Sequence, residues 1–284
     1  MHQPVLCREV IGLLRPKPGG VYVDATLGLG GHSEAILQCG GRVVGIEWDG
    51  DAADLAAARL GPAVTVVRDS YANLPSIFDT LGLSVVDGVL LDLGVSSLQL
   101  DTGSRGFSFR QEAPLDMRMS KSTGGTAADL LRGLGERELE QILREYGEEP
   151  RARKIAAAIV RTRGKPGGDI LGTTRALAEF VERLVGRHGR AHPATRVFQA
   201  LRIAVNDELE NLKKFLGVFD RYLRGGGRCC VISFHSLEDR LVKRAFLAKE
   251  GMTRVTKKPV RPARAEVLEN PRARSAKLRC IEKN

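Results

Sequence analysis

Residues 21–33 read VYVDATLGLGGHS and combine a short β-prone run, a glycine turn and the start of a helix pattern. The β-branched and aromatic residues at the start favour a strand. Gly28, Gly30 and Gly31 let the backbone turn tightly and let a ligand approach without a Cβ in the way. A helix that begins near His32 directs free backbone amides at such a ligand. The segment therefore predicts a strand-turn-helix unit that holds a charged small molecule.

An acidic residue comes directly after the next predicted strand, residues 42–46. Glu47 follows that strand directly and stands 19 residues beyond Gly28. A carboxylate in this position of a strand-helix-strand unit can accept both hydroxyls of a ribose. A plain tight turn explains the glycines alone, and Glu47 makes a ligand that contains a nucleoside the better interpretation.

Asp24 helps to identify the nucleoside. The run Asp24-x-Thr26-x-Gly28-x-Gly30 fits the acid-x-Gly-x-Gly-x-Gly pattern of S-adenosylmethionine (AdoMet) binders, with one glycine replaced by threonine. The dinucleotide fingerprint is incomplete, because Ser33 occupies the position of its last glycine. The sulfonium and amino groups of AdoMet are cationic, so carboxylates suit its pocket better than they suit a pyrophosphate. A nicotinamide-dependent oxidoreductase is the alternative.

Strand and helix patterns alternate from residue 20 to residue 93, which predicts a parallel, doubly wound α/β sheet. Residues 105–205 interrupt this alternation with an almost wholly helical pattern, and a strand at 228–234 resumes it. We therefore expect a discontinuous α/β domain, 1–104 with 206–284, and an inserted helical domain, 105–205. Predicted strands at 253–257 and 277–281 close the sheet edge, and the stretch between them is predicted to be a loop that orders on its partner.

The net charge of +10 is concentrated in two blocks. Residues 151–202 contain 12 Lys and Arg against 3 Asp and Glu, and residues 252–284 contain 10 against 3. Guanidinium groups bind phosphate bidentately and stack on bases. A single basic helix is often only a solvated face, but two arginine-rich blocks predict a nucleic-acid partner.

The composition argues against several other classes. Five cysteines without a Cys-x-x-Cys pair indicate neither a disulfide framework nor a zinc site, and no metal is expected. No apolar run approaches the roughly 18 to 20 residues of a membrane span, and the first residues lack signal-peptide architecture. We expect a cytoplasmic protein that does not associate with membranes. Its oligomeric state stays open.

Polar residues follow the third and fourth predicted strands as well. Tyr71 can lie against an adenine face, although an aromatic residue after a strand is as often part of the core. Asp92 ends the fourth strand and opens a polar segment, in which Gln99 is a candidate for the same pocket. Ligands of open α/β sheets bind at the carboxyl ends of the strands, where these residues lie.

Seven motifs, which span nearly the whole chain, are similar to those of the bacterial 16S rRNA cytosine-N4 methyltransferases of the RsmH or MraW family. They are DATLGLGGHS (24–33), LDLGVSSLQLD (91–101), RGFSF (105–109), PLDMRM (114–119), FQALRIAVNDEL (198–209), VISFHSLEDR (231–240) and NPRARSAKLR (270–279).

The resemblance implies a Rossmann-like class I AdoMet-dependent methyltransferase sheet with an inserted all-helical domain. It also implies methyl transfer from AdoMet to the exocyclic N4 of one cytidine in the decoding region of the small ribosomal subunit. Two positions differ from the family, which often has Phe at Tyr71 and usually Asp at Glu47. Matched by motif, the AdoMet contacts fall on Gly30, Gly31, His32, Glu47, Tyr71, Asp92 and Gln99.

Methylation of cytosine N4 needs a group that localises the amine lone pair and accepts a proton. Because the sulfonium is an activated donor, the reaction requires neither a metal nor a covalent cysteine. Asp92 stands where many base-amine methyltransferases begin an Asp/Asn/Ser-Pro-Pro-aromatic motif, but the prolines and the ring are missing here. Only an acceptor role for Asp92 is carried over. Ser96, Ser233 and His235 are the other candidate acceptors, and His235 can equally cap the following helix.

Phe107, Phe109, Asp116 and Arg118 begin the insert and are candidates for the wall that holds an unstacked base. The alternative is that the phenylalanines only anchor the insert. In the C-terminal basic block, Arg272 and Arg274 are candidate RNA contacts. A non-catalytic RNA-binding or assembly protein is the remaining alternative for the chain as a whole.

Overall fold

The computed structural model describes residues 4–122, 124–164, 169–187 and 192–284, which form two compact units. The first unit comprises Met1–Gly94 with Leu209–Asn284 and carries the sheet, and the second comprises Val95–Glu208 and carries helices. Boundaries after residues 104 and 205 were expected. The division differs from them in that the short helix Ser97–Asp101 belongs to the helical unit.

Seven strands of the first unit form one mixed sheet in the order β3-β2-β1-β4-β5-β7-β6. β1 to β5 are parallel, whereas β7 is antiparallel to β5 and to β6. This confirms the α/β class and the two closing strands. The strands are β1 (Val21–Asp24), β2 (Arg42–Ile46), β3 (Val64–Val67), β4 (Val86–Asp92), β5 (Leu223–Ser233), β6 (Met252–Arg254) and β7 (Lys277–Lys283).

The central strand β4 is buried on both faces, which explains its almost continuous apolar sequence. Val89 and Leu91 pack into the core on one side of the sheet, and Leu90 packs into the core on the other. Successive side chains of a strand point to opposite faces, so this alternation follows from the pleat. Helices cover both faces. The side of Leu90 is covered by α1 (Cys7–Leu14), α2 (Gly31–Gln38) and α3 (Gly50–Leu60), and the other side by α4 (Leu74–Leu81), α11 (Glu208–Val218) and α12 (Ser236–Ala248). A short helix, α13 (Arg264–Glu269), has no buried residue.

The helical unit has its own apolar core, to which the helices between residues 127 and 205 contribute. Thr173 caps one of these helices by accepting a hydrogen bond at 3.1 Å from the backbone N–H of Ala176. Among the described residues, no helix is both long and apolar enough to cross a membrane. The helices of this unit are α5 (Ser97–Asp101), α6 (Ala127–Gly133), α7 (Glu136–Glu145), α8 (Ala152–Thr162), α9 (Thr174–Val185) and α10 (Ala194–Val205).

Two segments differ from the sequence prediction. Residues 106–122 form irregular backbone rather than helix. The prediction of a loop between β6 and β7 is wrong, because this stretch contains α13 and a 3-10 turn, Pro271–Ser275. Tertiary contacts order this stretch: Glu266 accepts the backbone N–H of Leu6 at 2.7 Å, and Ala273 is fully buried.

Replacement of Leu91 tests the packing of β4. Leu91→Ala removes a fully buried side chain and leaves a cavity, so the free energy of unfolding should fall by about 3 kcal/mol. Leu55→Ala, at a side chain that is 49% exposed, is the control and should change it by less than about 0.5 kcal/mol. Urea unfolding followed by circular dichroism measures both. Equal losses in the two variants would contradict the burial of Leu91.

Candidate functional site

The predicted acidic residues lie together at the carboxyl edge of the parallel strands. Asp24 ends β1, Asp92 ends β4, and Glu47 directly follows β2. Because β1 lies between β2 and β4, the chain runs from β1 to β2 on one side and returns from β3 to β4 on the other side of β1. Such a switch of direction opens a crevice at the carboxyl edge, which is where α/β sheets bind their ligands.

The glycine turn between β1 and α2 requires two of its glycines for stereochemical reasons. Gly28 and Gly30 have φ angles of 53° and 79°, in the left-handed region. A Cβ on Gly30 would also lie 2.4 Å from Cδ1 of Leu60. Gly31 is the first residue of α2, and a Cβ there would press against Pro4 at 3.2 Å. The missing Cβ atoms of Gly30 and Gly31 thus make room for Leu60 and Pro4, whereas a Cβ on Gly28 would meet no atom closer than 3.9 Å, so bare backbone remains there.

Glu47 fixes this turn to the end of β2. Its Oε2 accepts the backbone N–H of Gly28 at 2.7 Å, and its Oε1 accepts that of Asp49 at 2.8 Å. Burial raises the pKa of Glu47 to about 7, although the two amides act in the opposite direction. Each carboxylate oxygen has a second lone pair, so Glu47 can accept further hydrogen bonds from a ligand.

Asp24 is turned into the protein. It is 1% exposed; its Oδ2 accepts the hydroxyl of Ser33 at 2.7 Å, and Oδ1 lies 3.4 Å from the backbone N–H of Thr26. Burial raises the pKa of this carboxyl, and the nearby His32 and the Ser33 hydroxyl oppose that shift. These contacts make Asp24 a support for the turn between β1 and α2.

The buried His32 of α2 pairs with the half-buried Asp92 at the end of β4. Nε2 of His32 lies 3.4 Å from Oδ2 of Asp92, a separation that suits an ion pair better than a short hydrogen bond. Burial acts to lower the pKa of His32, but its interactions with Asp92 and Cys7 and the charge of Asp24 outweigh burial and raise the pKa to about 10. His32 is therefore cationic at neutral pH and balances the charge of Asp92.

Thr26 joins two strand ends, a role that the sequence pattern alone did not indicate. Its hydroxyl oxygen accepts the backbone N–H of Asp92 at 2.6 Å and so joins the ends of β1 and β4. The available signal was the departure from the glycine pattern at this position, since glycine has no side chain that can make this hydrogen bond.

Tyr71 opens a 3-10 turn, Tyr71–Asn73, shortly after β3. Its ring meets that of Phe215 edge to face, with centroids 6.0 Å apart, and packs against the core below. The residue remains half-buried, so its ring takes part in the core and also reaches the surface at the carboxyl side of the sheet.

The two candidate acceptors at the end of β5 and the start of α12 make local structural contacts. His235 is the N-cap of α12: its ring nitrogen Nδ1 lies 3.5 Å from the backbone N–H of Glu238, and Nε2 lies 3.2 Å from the carboxylate of Glu238. Ser233 is 2% exposed, and its hydroxyl lies 3.4 Å from the carbonyl oxygen of Lys277 on β7. Both contacts stabilise the sheet end and the start of α12.

In the helical unit, Ser96 and Gln99 form a capping box on α5. The hydroxyl oxygen of Ser96 accepts the backbone N–H of Gln99 at 3.2 Å, and Oε1 of Gln99 accepts that of Ser96 at 3.0 Å. Gln99 is 4% exposed. The polar segment after β4 thus begins with a helix whose first turn is held by its own side chains.

The base-wall candidates of the insert fall into two groups. Phe107 and Phe109 pack against the core of the helical unit, and Phe109 meets Phe198 with ring centroids 4.9 Å apart. Arg118 forms a bidentate pair with Asp116, Nε to Oδ1 at 2.8 Å and Nη2 to Oδ2 at 3.0 Å. Burial acts to raise the pKa of Asp116, but the hydrogen bonds from Arg118 outweigh it and lower the pKa.

Two buried residues that sequence reasoning missed hold the loop of Asp116 and Arg118 in place. Arg105, 3% exposed, donates to the carbonyl oxygens of Arg118 at 3.0 Å and Met119 at 2.8 Å. Asn206 accepts the backbone N–H of Met119 at 2.7 Å and donates to the carbonyl oxygen of Met117 at 2.8 Å. An arginine in RGFSF and an asparagine in AVNDEL were visible, but only the fold brings them to this loop.

The C-terminal candidates Arg272 and Arg274 lie in the 3-10 turn Pro271–Ser275 of the first unit, and both are exposed. Ala273 between them is buried and anchors the turn. The two guanidinium groups are thus carried on ordered backbone that faces solvent.

The carboxyl edge of the sheet suits a ligand with cationic and hydroxyl groups. Oδ2 of Asp92 pairs with His32, but Oδ1 is buried without a hydrogen-bond partner among the described residues. Buried polar atoms of this kind are costly unless a further group satisfies them. Together with Glu47 and the bare backbone at Gly28, this oxygen fits the sulfonium nucleoside AdoMet.

The raised pKa of Glu47 predicts how stability depends on pH. In the folded chain this carboxyl keeps its proton up to a pH of about 7, compared with an ordinary value of 4.5, so the folded state binds more protons between these values. The free energy of unfolding should therefore fall by about 3 kcal/mol as pH rises from 4.5 to 7. Glu47→Gln should lack this decrease in urea unfolding without ligand. Parallel pH profiles for both chains would contradict it.

Comparison with known proteins identifies the family. The family model described as the MraW methylase family matches residues 1–284. A ribosomal RNA small subunit methyltransferase H of Anaeromyxobacter sp. (strain Fw109-5) is 48% identical and aligns over 100% of this chain and 98% of its own. The protein of that name from Deinococcus radiodurans is 48% identical over 99% of this chain and 89% of its own.

Among solved structures, TrmN from Thermus thermophilus aligns with 98% of this chain and 48% of its own, at 13% identity and a TM-score of 0.47. That likeness is too low to support an argument about function. The family model and the relatives, in contrast, cover essentially the whole sequence with high identity, and the chain belongs to the MraW methylase family.

Proposed function

We propose that the chain is an AdoMet-dependent methyltransferase that methylates the exocyclic N4 of one cytidine in the decoding region of 16S rRNA. The observation that carries this proposal is the position of Asp92. It ends β4 next to the glycine turn, and its Oδ1 is buried without a hydrogen-bond partner among the described residues. The relatives, named as methyltransferases of small-subunit rRNA, support the same substrate.

The carboxyl edge of the first unit provides the groups that would hold AdoMet. Glu47 would accept the ribose hydroxyls. The family usually has Asp at this position, and the longer side chain of Glu can still reach a ribose. The bare backbone at Gly28 permits close approach of the ligand, and Tyr71 offers the edge or face of a ring to the adenine. By family resemblance we assign Gly30, Gly31, His32, Asp92 and Gln99 to the same ligand.

The chemistry at cytosine N4 needs a proton acceptor of fixed position and charge. When bound, AdoMet supplies an activated methyl group on its sulfonium. The carboxylate of Asp92 would accept a hydrogen bond from the N4 amine, which localises the lone pair, and would receive the proton as the amine becomes more acidic. His32, whose Nε2 lies 3.4 Å from Oδ2 of Asp92, holds the carboxylate in a fixed orientation.

The other candidate acceptors have weaker support. His235 and Ser233 are engaged in capping α12 and in contact with β7, and Ser96 caps α5. A proton acceptor has to be within hydrogen-bond reach of the amine, and side chains that already hold structural contacts are less available. We therefore assign proton acceptance to Asp92 and retain Ser96, Ser233 and His235 as secondary candidates.

We assign recognition of the RNA to the insert and to the C-terminal block. The insert, residues 105–205, includes the whole arginine-rich block at 151–202. The pair of Asp116 and Arg118 presents a planar guanidinium fixed on its loop. A guanidinium plane can stack on an unstacked base and can bind phosphate. Phe107 and Phe109 are assigned to the same wall, and Arg272 and Arg274 to phosphate contacts.

Removal of the Asp92 carboxylate tests the assignment of the acceptor. Asp92→Ala should lower kcat for methylation of small subunits that lack the modification by at least about 100-fold at saturating AdoMet, with the fold retained. Asp79→Ala, at an exposed carboxylate on α4, is the control and should keep the activity of the parent chain. Nucleoside mass spectrometry of the digested rRNA measures N4-methylcytidine. Unchanged kcat would remove Asp92 from the site.

Nucleoside analysis and filter binding separate the two alternatives to a methyltransferase. A non-catalytic assembly protein would bind small subunits without producing a methylated nucleoside. A nicotinamide-dependent oxidoreductase would retain radiolabelled NAD in filter binding, whereas we expect retention of AdoMet alone.

Charge reversal in the C-terminal block tests its contact with RNA. Arg272→Glu combined with Arg274→Glu should weaken binding to small subunits by about tenfold or more at low salt, because two exposed phosphate contacts become repulsive. The control pair Lys214→Glu and Lys243→Glu makes the same charge change at exposed positions on α11 and α12. Equilibrium binding across a salt series measures both pairs. An affinity and salt dependence equal to those of the parent chain would exclude these arginines from the RNA footprint.

A further inference from the structure

A cavity lies at the opposite edge of the sheet from the proposed methyl-donor site. Its volume is about 710 Å³. Residues at the starts of four parallel strands line it, namely Val21 of β1, Arg42 of β2, Asp87 of β4 and Arg224 of β5. This amino edge is separated from the carboxyl edge by the length of the sheet, which for the seven residues of β4 is roughly 20 Å.

The lining of this cavity is strongly basic. Five cationic residues and two acidic residues contribute to it. The two acidic residues are engaged: Glu282 pairs with Arg228 at 2.6 Å, and Asp87 pairs with Arg224 at 3.2 Å while also accepting the backbone N–H of Val21 at 2.9 Å. The cavity therefore retains a net positive charge of three from residues that no carboxylate of the lining balances.

Three of the cations, Arg15, Lys17 and Arg42, are exposed and form no ion pair with any residue that the structure describes. Arg228 forms the fixed floor instead. It is 9% exposed, and besides its pair with Glu282 it donates to the carbonyl oxygen of Leu13 at 2.6 Å. The cavity thus has a rigid base and a rim of three cations that are available to an anion.

Glycines leave parts of the wall as bare backbone. Gly19 and Gly226 both have a φ of 76°, and a Cβ on either would meet no atom within 4 Å. The wall at these points is open to a ligand because no side chain fills it. Backbone without side chains beside cationic groups favours the close approach of phosphate oxygens.

The lining favours phosphate groups over a nucleobase. Its aromatic residue, Tyr22, is 1% exposed and directs its hydroxyl to the backbone N–H of Lys17 at 2.9 Å, so it offers no face on which a base can stack. A free nucleotide is recognised through its base as well as its phosphates. Exposed Lys and Arg without a stacking surface are instead typical of contacts to a nucleic-acid backbone.

We propose that the cavity lined by Arg15, Lys17, Arg42, Arg224 and Arg228 binds backbone phosphates of the RNA substrate, remote from the methylated cytidine. The two edges of the sheet then carry opposite charge: the carboxyl edge is acidic and takes a cationic ligand, and the amino edge is basic and takes a polyanion. This inference rests on the proposed function for the identity of the RNA. A contact about 20 Å from the reacting base contributes to affinity for the subunit without touching the reacting groups.

The salt dependence of RNA binding tests this site. In the full chain, Lys17→Gln with Arg42→Gln removes two of the exposed cations, and Lys214→Gln with Lys243→Gln is the matched control outside the cavity. Equilibrium binding to fluorescently labelled small subunits that lack the modification is measured between low and physiological salt. The cavity pair should reduce the slope of log affinity against log salt by about two units, and the control pair should leave the slope unchanged. AdoMet affinity, measured by calorimetry, should be equal in all three chains.

A cavity variant whose salt slope equals that of the parent chain would overturn the inference. If the cavity pair then abolished binding of ADP or inorganic pyrophosphate, the cavity would be a site for small phosphates instead. The assay measures binding and not methylation, so the two proposals can fail separately. If the parent chain transferred no methyl group but the cavity pair still lowered the salt slope by about two units, the proposed function would be refuted and this site supported.

Discussion

The burial of carboxylates at the carboxyl edge of a parallel sheet is the constraint on which the rest of the first unit depends. Removal of an ionised carboxylate from water is costly unless hydrogen bonds or an opposite charge compensate it. Each carboxylate has its own compensation here: Ser33 for Asp24, two backbone amides for Glu47 and the imidazolium of His32 for Asp92. The glycine turn holds these groups in place, because α2 begins within it and carries both Ser33 and His32.

Asp92 differs from Asp24 in how its oxygens are satisfied. Oδ1 of Asp92 lacks a hydrogen-bond partner among the described residues, whereas Asp24 has donors to both oxygens. Two carboxylates on neighbouring strands therefore have different surroundings. Asp24 is engaged within the turn, and the unpartnered Oδ1 of Asp92 is the observation behind our proposal for this residue. Thr26 connects the two strand ends, since its hydroxyl fixes the backbone at Asp92 from the β1 side.

Much of this fold was predictable because its signals are local. The apolar run at 86–92, the alternation of strands and helices, and the cap at Thr173 follow from the periodicity and the side-chain chemistry of short segments. The stretch between β6 and β7 was mispredicted for the complementary reason. Its order comes from contacts that are distant in sequence, such as Glu266 with Leu6, and a basic segment with three prolines gives no local sign of them.

The sequence by itself determined the family, the class of sheet and the set of acidic residues at the strand ends, because motif spacing and strand periodicity are properties of adjacent residues. Only the tertiary structure decided how those residues are used. It turned Asp24 inward, placed His32 against Asp92 and gave His235 the cap of α12. It also gathered Lys17, Arg42 and Arg224 around one cavity. Hydrogen bonding, burial and net local charge depend on which strands become neighbours, and strand order is a property of the folded chain as a whole.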